Sequence, residues 1–594
     1  MRKFLDINLK ERSISAEEWT GDQLVKAGRY LIAKMLVEEG VATVDPLGPD
    51  NPLIFSAGPF AGTTWSNANR ISIGCKSPLT GGIKEANGGG TLAYAMGRIG
   101  VCGFVLRDQS EDWVVMHFDK KGNLTYKDAS PYLGKDNFEV ADMLHAEYGK
   151  KCSLAITGPV GEYLGLLGGI AISDNDLRPS RLAARGGVGA VMGSKKVKAI
   201  VIELAKMPPL LDKKKTLNAV KQYANWVRED HAIQTVYNPI GTMAMGDFTN
   251  HVGGMPTNNF TLGSQPLNTE GQFQMGGEYV RDLNNSRGGK HSHACMPGCL
   301  IQCSNVYYDA DGKEMTSPVE YETLALLGTN CGLTHPDNLG RMNHYCNELG
   351  VDTIETGAMI AVLMDSGLAE FGDVEFMEHV FQAMLKGTDE GKLWAQGTYA
   401  VGNHYGNHRI PTVKKQAISA YDPRVIEVTG VSMMVSAQGA DHTTGNMAKA
   451  ATFDKGTEDV LKLSLEAQIA AAAVDSIGLC IFGRSVTNIQ LKMVTDAMHN
   501  AVGSDVGPMF FTELGRETLA LERQFNIAAG FTEEDDNLPQ FFYDEPLKPT
   551  NRTARFTASD VHDMYKYIDE VGTAGVPDEY GRVSAYNTFA AQAS

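Results

Sequence analysis

Three thiols, Cys295, Cys299 and Cys303, lie within the run HACMPGCLIQC. Thiolates at this spacing can wrap one face of a cubane iron–sulfur cluster, which then needs a fourth ligand from elsewhere in the chain. Cys480 is the candidate, because it follows Gly478 in a turn just past a predicted helix end, where a side chain can face another domain. The competing readings are a zinc site or three unrelated core thiols for the triple, and a buried core thiol for Cys480. Cys75, Cys102, Cys152, Cys331 and Cys346 are scattered singly and read as small buried hydrophobes. Nine cysteines in 594 residues are too few for a disulfide scaffold, so the clustered subset points to metal or redox chemistry.

Two glycine-rich stretches, KEANGGG (84–90) and ARGGVGAVMGSKK (184–196), can bring backbone N–H groups close to phosphates. Arg70, Arg181 and Arg185 are near enough in sequence to neutralise the charge. Glycines serving tight turns are the alternative. Neither stretch has the Walker A ending or the strand, GxGxxG, helix and later acid of a dinucleotide site. Among 14 histidines His442 stands out, since QGADHTTGN surrounds it with small and polar residues that suit a loop lining a cavity. Glu322 reads either as a solvated charge or as a partly buried acid with a raised pKa. An ordinary hydrogen-bonded loop residue is the bland reading of His442.

The elements that position these residues change character along the chain. Up to about residue 205, short runs such as GFVLRD and KAIVIEL separated by Gly and Pro turns predict a β-rich domain. KMPPLLDKKKT punctuates the chain near residue 210, and helical periodicity follows nearly to the C-terminus. Ser317 as N-cap, Pro318 as first residue and Glu320 as third predict a capping box opening the helix that carries Glu322. A second helix is predicted from about Thr457 to near Gly478. Two internal echoes stand out. GPFAG (58–62) and GPVGE (158–162) precede similar glycine-rich segments, which a duplicated β unit would explain; NELGVD (347–352) and DSIGLC (475–480) both fall at predicted helix ends, where chance similarity is the competitor.

The balance of 53 basic against 71 acidic residues gives −18, which would repel a phosphate backbone and offers nothing to an anionic membrane surface. No apolar run approaches the roughly 20 residues that span a bilayer, and MRKFLDINLKERSIS lacks an apolar secretory core. The expectation is a cytoplasmic enzyme without nucleic-acid or membrane partners.

Taken together, VDPLGPDNPLIFSAGPFAGT, KSPLTGGIKEANGGG, RGGVGAVMGSKKVKAI, the Cys triple, PVEYETLALLG, ELGVDTIETG, AYDPR and DSIGLC resemble the aldehyde ferredoxin oxidoreductase family along nearly the whole chain. The resemblance implies an α+β fold: a β-rich base, 1–210, carrying two pterin dithiolenes around one tungsten, with molybdenum the lesser alternative. Two mainly helical domains would cover it, 211–410 with the Cys triple and first pterin turn, and 411–594 with His442, the second turn and Cys480. It further implies that Arg70, Asn87, Gly88 and Gly89 serve the first pterin phosphate and Arg181, Leu182 and Arg185 the second. The Asn87 and Leu182 carbonyls would then hold a bridging Mg2+. By the same resemblance, Asn347 to Asp352 and Asp475 to Leu479 recognise the pterins, Cys295, Cys299, Cys303 and Cys480 hold one [4Fe–4S] cluster, and Glu322 and His442 stand beside the metal.

Three positions depart from the family pattern. The triple reads C-x3-C-x3-C where C-x2-C-x3-C is usual, Asn347 replaces an aspartate, and Arg341-Met342-Asn343-His344 replaces an ExxH iron site at a homodimer contact. The implied activity is oxidation of aldehydes to carboxylic acids, with electrons leaving through the cluster to an external acceptor. Alternatives are a tungstopterin reductase of aromatic thioesters and a non-catalytic iron–sulfur carrier. The missing dinucleotide fingerprint and Arg341 together predict a heteromeric complex. In it a ferredoxin or ferredoxin-like subunit docks near Cys295 to Cys303, with a flavoprotein further along as the route to NAD.

Overall fold

The computed structural model describes residues 1–574; residues 575–594, the end of the third expected domain, lie outside the described residues. The apolar runs of the first 203 residues form twelve strands. They are β1 (Arg2–Asn8), β2 (Ser13–Trp19), β3 (Leu53–Ala57), β4 (Ile71–Lys76), β5 (Ile83–Gly88), β6 (Val101–Arg107), β7 (Val114–Phe118), β8 (Leu124–Asp128), β9 (Cys152–Thr157), β10 (Ile170–Ile172), β11 (Arg181–Ala183) and β12 (Val197–Glu203). Two six-stranded sheets result, ordered β2-β1-β6-β3-β4-β5 and β8-β7-β12-β9-β10-β11.

The sheets are two copies of one unit. β1 pairs antiparallel with β2 and parallel with β6, as β7 does with β8 and β12, and every other neighbouring pair is antiparallel in both sheets. Helix Leu92–Arg98 joins β5 to β6 and helix Val188–Ser194 joins β11 to β12. The first echo in the sequence is therefore the trace of a duplicated topology. The edge strands β5 and β11 meet, so that a Cβ on Gly88 would stand 3.4 Å from the Ala183 nitrogen.

The second echo docks onto the first. Helix Pro336–Leu349 ends at Gly350 and helix Thr457–Ser476 at Gly478, each with φ of 68°. A Cβ on Gly158 would lie 2.0 Å from the Leu349 carbonyl oxygen, and one on Gly58 would lie 2.0 Å from that of Ile477. Only glycine allows so close an approach, so each β unit receives one helix end through its own Gly-Pro turn. Backbone bonds seal both contacts, from Gly169 N–H to the Gly350 carbonyl (2.8 Å) and from Arg70 N–H to that of Gly478 (3.3 Å).

Beyond β12 the chain is mainly helical, interrupted by a three-stranded sheet of Lys290–His293, Ser304–Tyr308 and Glu314–Thr316. Asp212 caps the first long helix, Lys213–Glu229, by accepting from Lys215 N–H. Helix Thr457–Ser476 packs on Phe510–Ala528 so tightly that a Cβ on Gly515 would meet the Ile469 carbonyl at 2.2 Å. Buried Arg29 donates two bonds to buried Glu522 (2.6 and 2.9 Å), fastening the base to that helix.

The capping box expected at Ser317 does not form. Ser317 Oγ donates to the Asn305 carbonyl (2.7 Å), and the Asn305 side chain brackets Val319, accepting from its N–H (2.9 Å) and donating to its carbonyl (2.6 Å). These bonds to the neighbouring strand hold 317–319 outside the helix, which begins at Tyr321 with Glu320 as N-cap. Glu322 thus stands in the first turn. Among the described residues, no single helix is long and apolar enough to cross a membrane.

Candidate functional site

The Cys triple lies in the connection between strands Lys290–His293 and Ser304–Tyr308. The segment 66–69 brings Cys480 to it: Cys480 N–H donates to the Asn67 carbonyl (2.8 Å), Leu300 N–H to Ser66 Oγ (3.0 Å) and Asn69 Nδ2 to the Pro297 carbonyl (3.2 Å). Cys299, Cys303 and Cys480 are buried, while Cys295 keeps some exposure. Burial pushes the Cys299 thiol up to about 12, helped by the sulfurs of Cys295 and Cys480. Burial, then Glu320 and the other three sulfurs, drives Cys303 well above the ordinary thiol range. Thiols raised like those of Cys295, Cys299 and Cys303 ionise readily only with positive charge beside them, which fits a bound iron–sulfur group. Among the described residues, no three His, Cys, Asp or Glu side chains are arranged to hold a single metal ion.

The glycine loops adjoin this pocket. A Cβ on Gly89 would stand 3.3 Å from Cys295 Sγ, and Gly90 N–H donates to the Cys295 carbonyl (2.9 Å). Arg70, at the start of β4, donates from Nη2 to the Asn87 carbonyl (3.1 Å) and from Nε to the Asn87 side chain. Burial alone would lower the Arg70 pKa, but Cys480, Cys295, Asp475 and Glu85 outweigh it and raise it. In the second copy, half-buried Leu182 faces Ala171 in register, as Asn87 faces Ser72 in the first. Buried Arg181 donates to Ser304 Oγ (2.7 Å) and Ser317 Oγ (3.3 Å), while its Nε has no partner, a buried donor left for an anion. Arg185 spends its donors on protein: Asp352 (3.2 Å), Ser419 Oγ (3.0 Å) and the carbonyls of Ala440 (2.7 Å) and Ala417 (2.6 Å).

The two helix-end turns differ in charge. Asn347 donates to Thr316 Oγ1 (3.2 Å), and Asp352 caps helix Thr353–Asp365 by accepting from Ile354 N–H (3.0 Å). Asp475 lies 3.6 Å from Arg29, yet burial and then Glu85 push its carboxyl up to about 8. Leu479 is wholly buried beside it. In the segment 341–344, Arg341 pairs with Glu378 (3.1 Å) and His344 with Glu348 (3.3 Å).

Glu322 and His442 meet from different elements. Glu322 Oε2 accepts from Ala420 N–H (2.9 Å), while buried Oε1 has no hydrogen-bond partner and lies 3.4 Å from His442 Nδ1. Burial raises the Glu322 pKa, against the bond from Ala420 N–H and nearby Arg185, so the carboxyl is a partly buried acid and not a solvated charge. His442 opens a short 3-10 turn capped by Asp441, whose carboxylate accepts from Thr443 N–H (3.0 Å) and from Lys84 Nζ (2.9 Å). Burial opposes ionisation of Asp441, but Lys84 and Arg185 overwhelm it and hold the carboxyl well below the usual range. Tyr421 lies against His442 with ring centres 5.7 Å apart, and Tyr321 against Tyr421 at 5.3 Å.

Sequence reasoning missed Ser419, Lys84, Asp441 and Glu320. Asp441 adjoins His442 and was visible as a neighbour; Lys84 opens the first glycine-rich stretch, but at more than 350 residues' distance nothing local pairs it with Asp441.

The model of the aldehyde ferredoxin oxidoreductase N-terminal domain matches residues 4–204, and that of domains 2 and 3 of the same family matches 218–578. The tungsten-containing aldehyde ferredoxin oxidoreductase of Pyrococcus furiosus is 31% identical over 573 residues, covering 92% of each chain. The corresponding protein of Thermococcus kodakarensis is 31% identical over 574 residues, again covering 92% of each. The active-site complex BamBC of benzoyl coenzyme A reductase shares the fold, with a TM-score of 0.80 at 18% identity over 96% of this chain and 95% of that one. With both family models matched along nearly its whole length, the chain belongs to the aldehyde ferredoxin oxidoreductase family.

Proposed function

We propose that the protein is a tungsten-pterin aldehyde oxidoreductase that passes electrons through one [4Fe–4S] cluster to a separate acceptor protein. The observation that carries this reading is the unpartnered Glu322 Oε1 beside His442, within a chain that also gathers four thiols and two glycine loops. Cys295, Cys299, Cys303 and Cys480 would hold the cluster. Arg70, Gly88 and Gly89 would meet one pterin phosphate and the free Nε of Arg181 the other, with Arg185 bracing the second loop. The Asn87 and Leu182 carbonyls, on the meeting edge strands β5 and β11, would share a Mg2+. Asn347, Asp352, Asp475 and Leu479 would line the pterin rings. When bound, the tungsten-pterin group supplies the electrophile and accepts the two electrons.

Oxidising an aldehyde to an acid adds one water-derived oxygen and releases two protons and two electrons. His442 would polarise the carbonyl, and Glu322, its Oε2 fixed by Ala420 N–H, would take a proton on Oε1. Buried Tyr321 and Tyr421 wall the pair and limit how a substrate can enter beside it. The retained exposure of Cys295 supports an exit for electrons there, and hence a ferredoxin-like subunit docked over 295–303 with a flavoprotein beyond it. The division into 1–210, 211–410 and 411–594 is supported by the change from sheets to helices near 210 and by a family model that counts two domains in the remainder. Purified protein from cells grown with tungstate, assayed with aldehyde and a viologen dye, tests the reading: aldehyde-dependent dye reduction supports it, and a fully metallated protein without such turnover defeats it.

A further inference from the structure

Ser419 lies in a strap, Gln416–Tyr421, whose polar groups bond Glu322 and several of its neighbours. Ala417 N–H donates to Glu355 Oε2 (2.8 Å), the Ala417 carbonyl accepts from Arg185, Ala420 N–H donates to Glu322 Oε2 (2.9 Å), and the Ala420 carbonyl accepts from the Tyr321 hydroxyl. Ser419 itself is fully buried. Its Oγ has three neighbours: Arg185 Nη1 at 3.0 Å, the His442 backbone nitrogen at 3.3 Å and His442 Nδ1 at 3.1 Å.

A hydroxyl has two lone pairs and one hydrogen. The guanidinium N–H and the backbone N–H can only donate, so they fill both lone pairs. The single Ser419 hydrogen is left with one direction, towards His442 Nδ1. A proton on Nδ1 would place three donors on two lone pairs and leave the hydroxyl hydrogen unspent in a buried site, where an unmade hydrogen bond is costly.

We propose that Ser419 is a positioning residue: held by Arg185, it donates to His442 Nδ1 and so fixes the imidazole as the neutral tautomer with its proton on Nε2. This rests on the proposed aldehyde chemistry and deepens it. Nε2–H makes no hydrogen bond to the described protein, so it is the donor His442 can offer a substrate carbonyl. The same arrangement explains why Glu322 Oε1 has no partner: Nδ1 is already occupied, and the carboxyl oxygen stays free to receive a proton. Arg185 also bonds Asp352 in the first helix-end turn, so histidine orientation is tied to the element expected to grip a pterin. The wiring is a buried relay, Asp352 to Arg185 to Ser419 to His442, in which each member has its place set by the next.

The test is nitrogen-15 NMR of histidine-labelled holoenzyme, with the His442 signals identified by their loss in His442→Gln. The wild type is expected to show Nε2 protonated and Nδ1 as a hydrogen-bond acceptor. Ser419→Ala should mix the tautomers and lower kcat by about 10-fold with KM nearly unchanged and metal content intact, and Ser419→Thr, which keeps the hydroxyl, should restore both. A wild-type His442 protonated on Nδ1, or a Ser419→Ala enzyme with wild-type tautomer and kcat, overturns the proposal. Wild-type protein with the stated tautomer and no aldehyde turnover would instead support the Ser419 assignment while removing the proposed function, so the two failures are distinguishable.

Discussion

Glu322 offers one free carboxyl oxygen, and its burial makes the charged form costly, so the pH at which it can accept a proton is displaced upwards. A base must be ionised to act; a raised pKa therefore moves the acid limb of kcat/KM to higher pH than an ordinary glutamate would give. Glu322→Gln should lower kcat by about 10²-fold or more with cofactor content unchanged, and the acid limb should vanish from whatever turnover remains. His442→Ala should likewise impair turnover more than metal content. For the thiols, Cys480→Ala should remove or degrade the cluster signal in electron paramagnetic resonance of the reduced protein; full iron content in that variant would break the fourth-ligand assignment. At this scale the sequence was legible where chemistry is local. The Cys triple and the His442 loop announce themselves by spacing and composition. The partners of this loop do not, because Ser419 reaches His442, and Lys84 reaches Asp441, only through tertiary folding.

The elements explain how two distant helix ends are held alike. Each Gly-Pro turn of the duplicated sheets accepts one helix-end carbonyl at a distance that any Cβ would forbid. Gly58→Ala should push away the turn carrying Asp475, and Gly158→Ala the turn carrying Asp352, at a cost of about 1–3 kcal/mol each or more if the backbone cannot shift. Pterin released on denaturation, measured against protein, should fall in both variants; unchanged pterin in both would disconnect these turns from cofactor retention. The repeated Gly-Pro segments were readable in the sequence because a duplicated unit leaves similar words at corresponding places, and the helix ends were readable because each carries the glycine of a left-handed turn. The helix start near Ser317 was misread for the opposite reason. A capping box is a local preference, and the bonds of Asn305 to both sides of Val319 are non-local and win.

At the scale of the whole molecule, the base and the last long helix are joined by a buried ion pair. Arg29 and Glu522 are 2% and 1% exposed, so removing the arginine strands a carboxylate in the interior. Arg29→Met should cost about 3–5 kcal/mol, seen as a lowered thermal midpoint. A midpoint within a degree of the wild type would show that Glu522 finds another partner. The predicted association with an iron–sulfur subunit is checked by native mass measurement of gently purified protein. A copurifying small iron–sulfur chain is expected, and a homodimer that reduces free ferredoxin at full rate would rule it out.

The proposed function requires one chain to join a tungsten-pterin group to aldehyde oxidation, and a tungstate titration tests that link. Protein prepared from cells grown over a series of tungstate concentrations should be measured for tungsten, pterin and aldehyde-dependent viologen reduction in the same samples. Turnover should rise in proportion to tungsten, with two pterins accompanying each tungsten, and vanish at zero tungsten while iron remains. Turnover that ignores tungsten, or iron-loaded protein that takes up neither tungsten nor molybdenum under any condition, would rule out the proposed function.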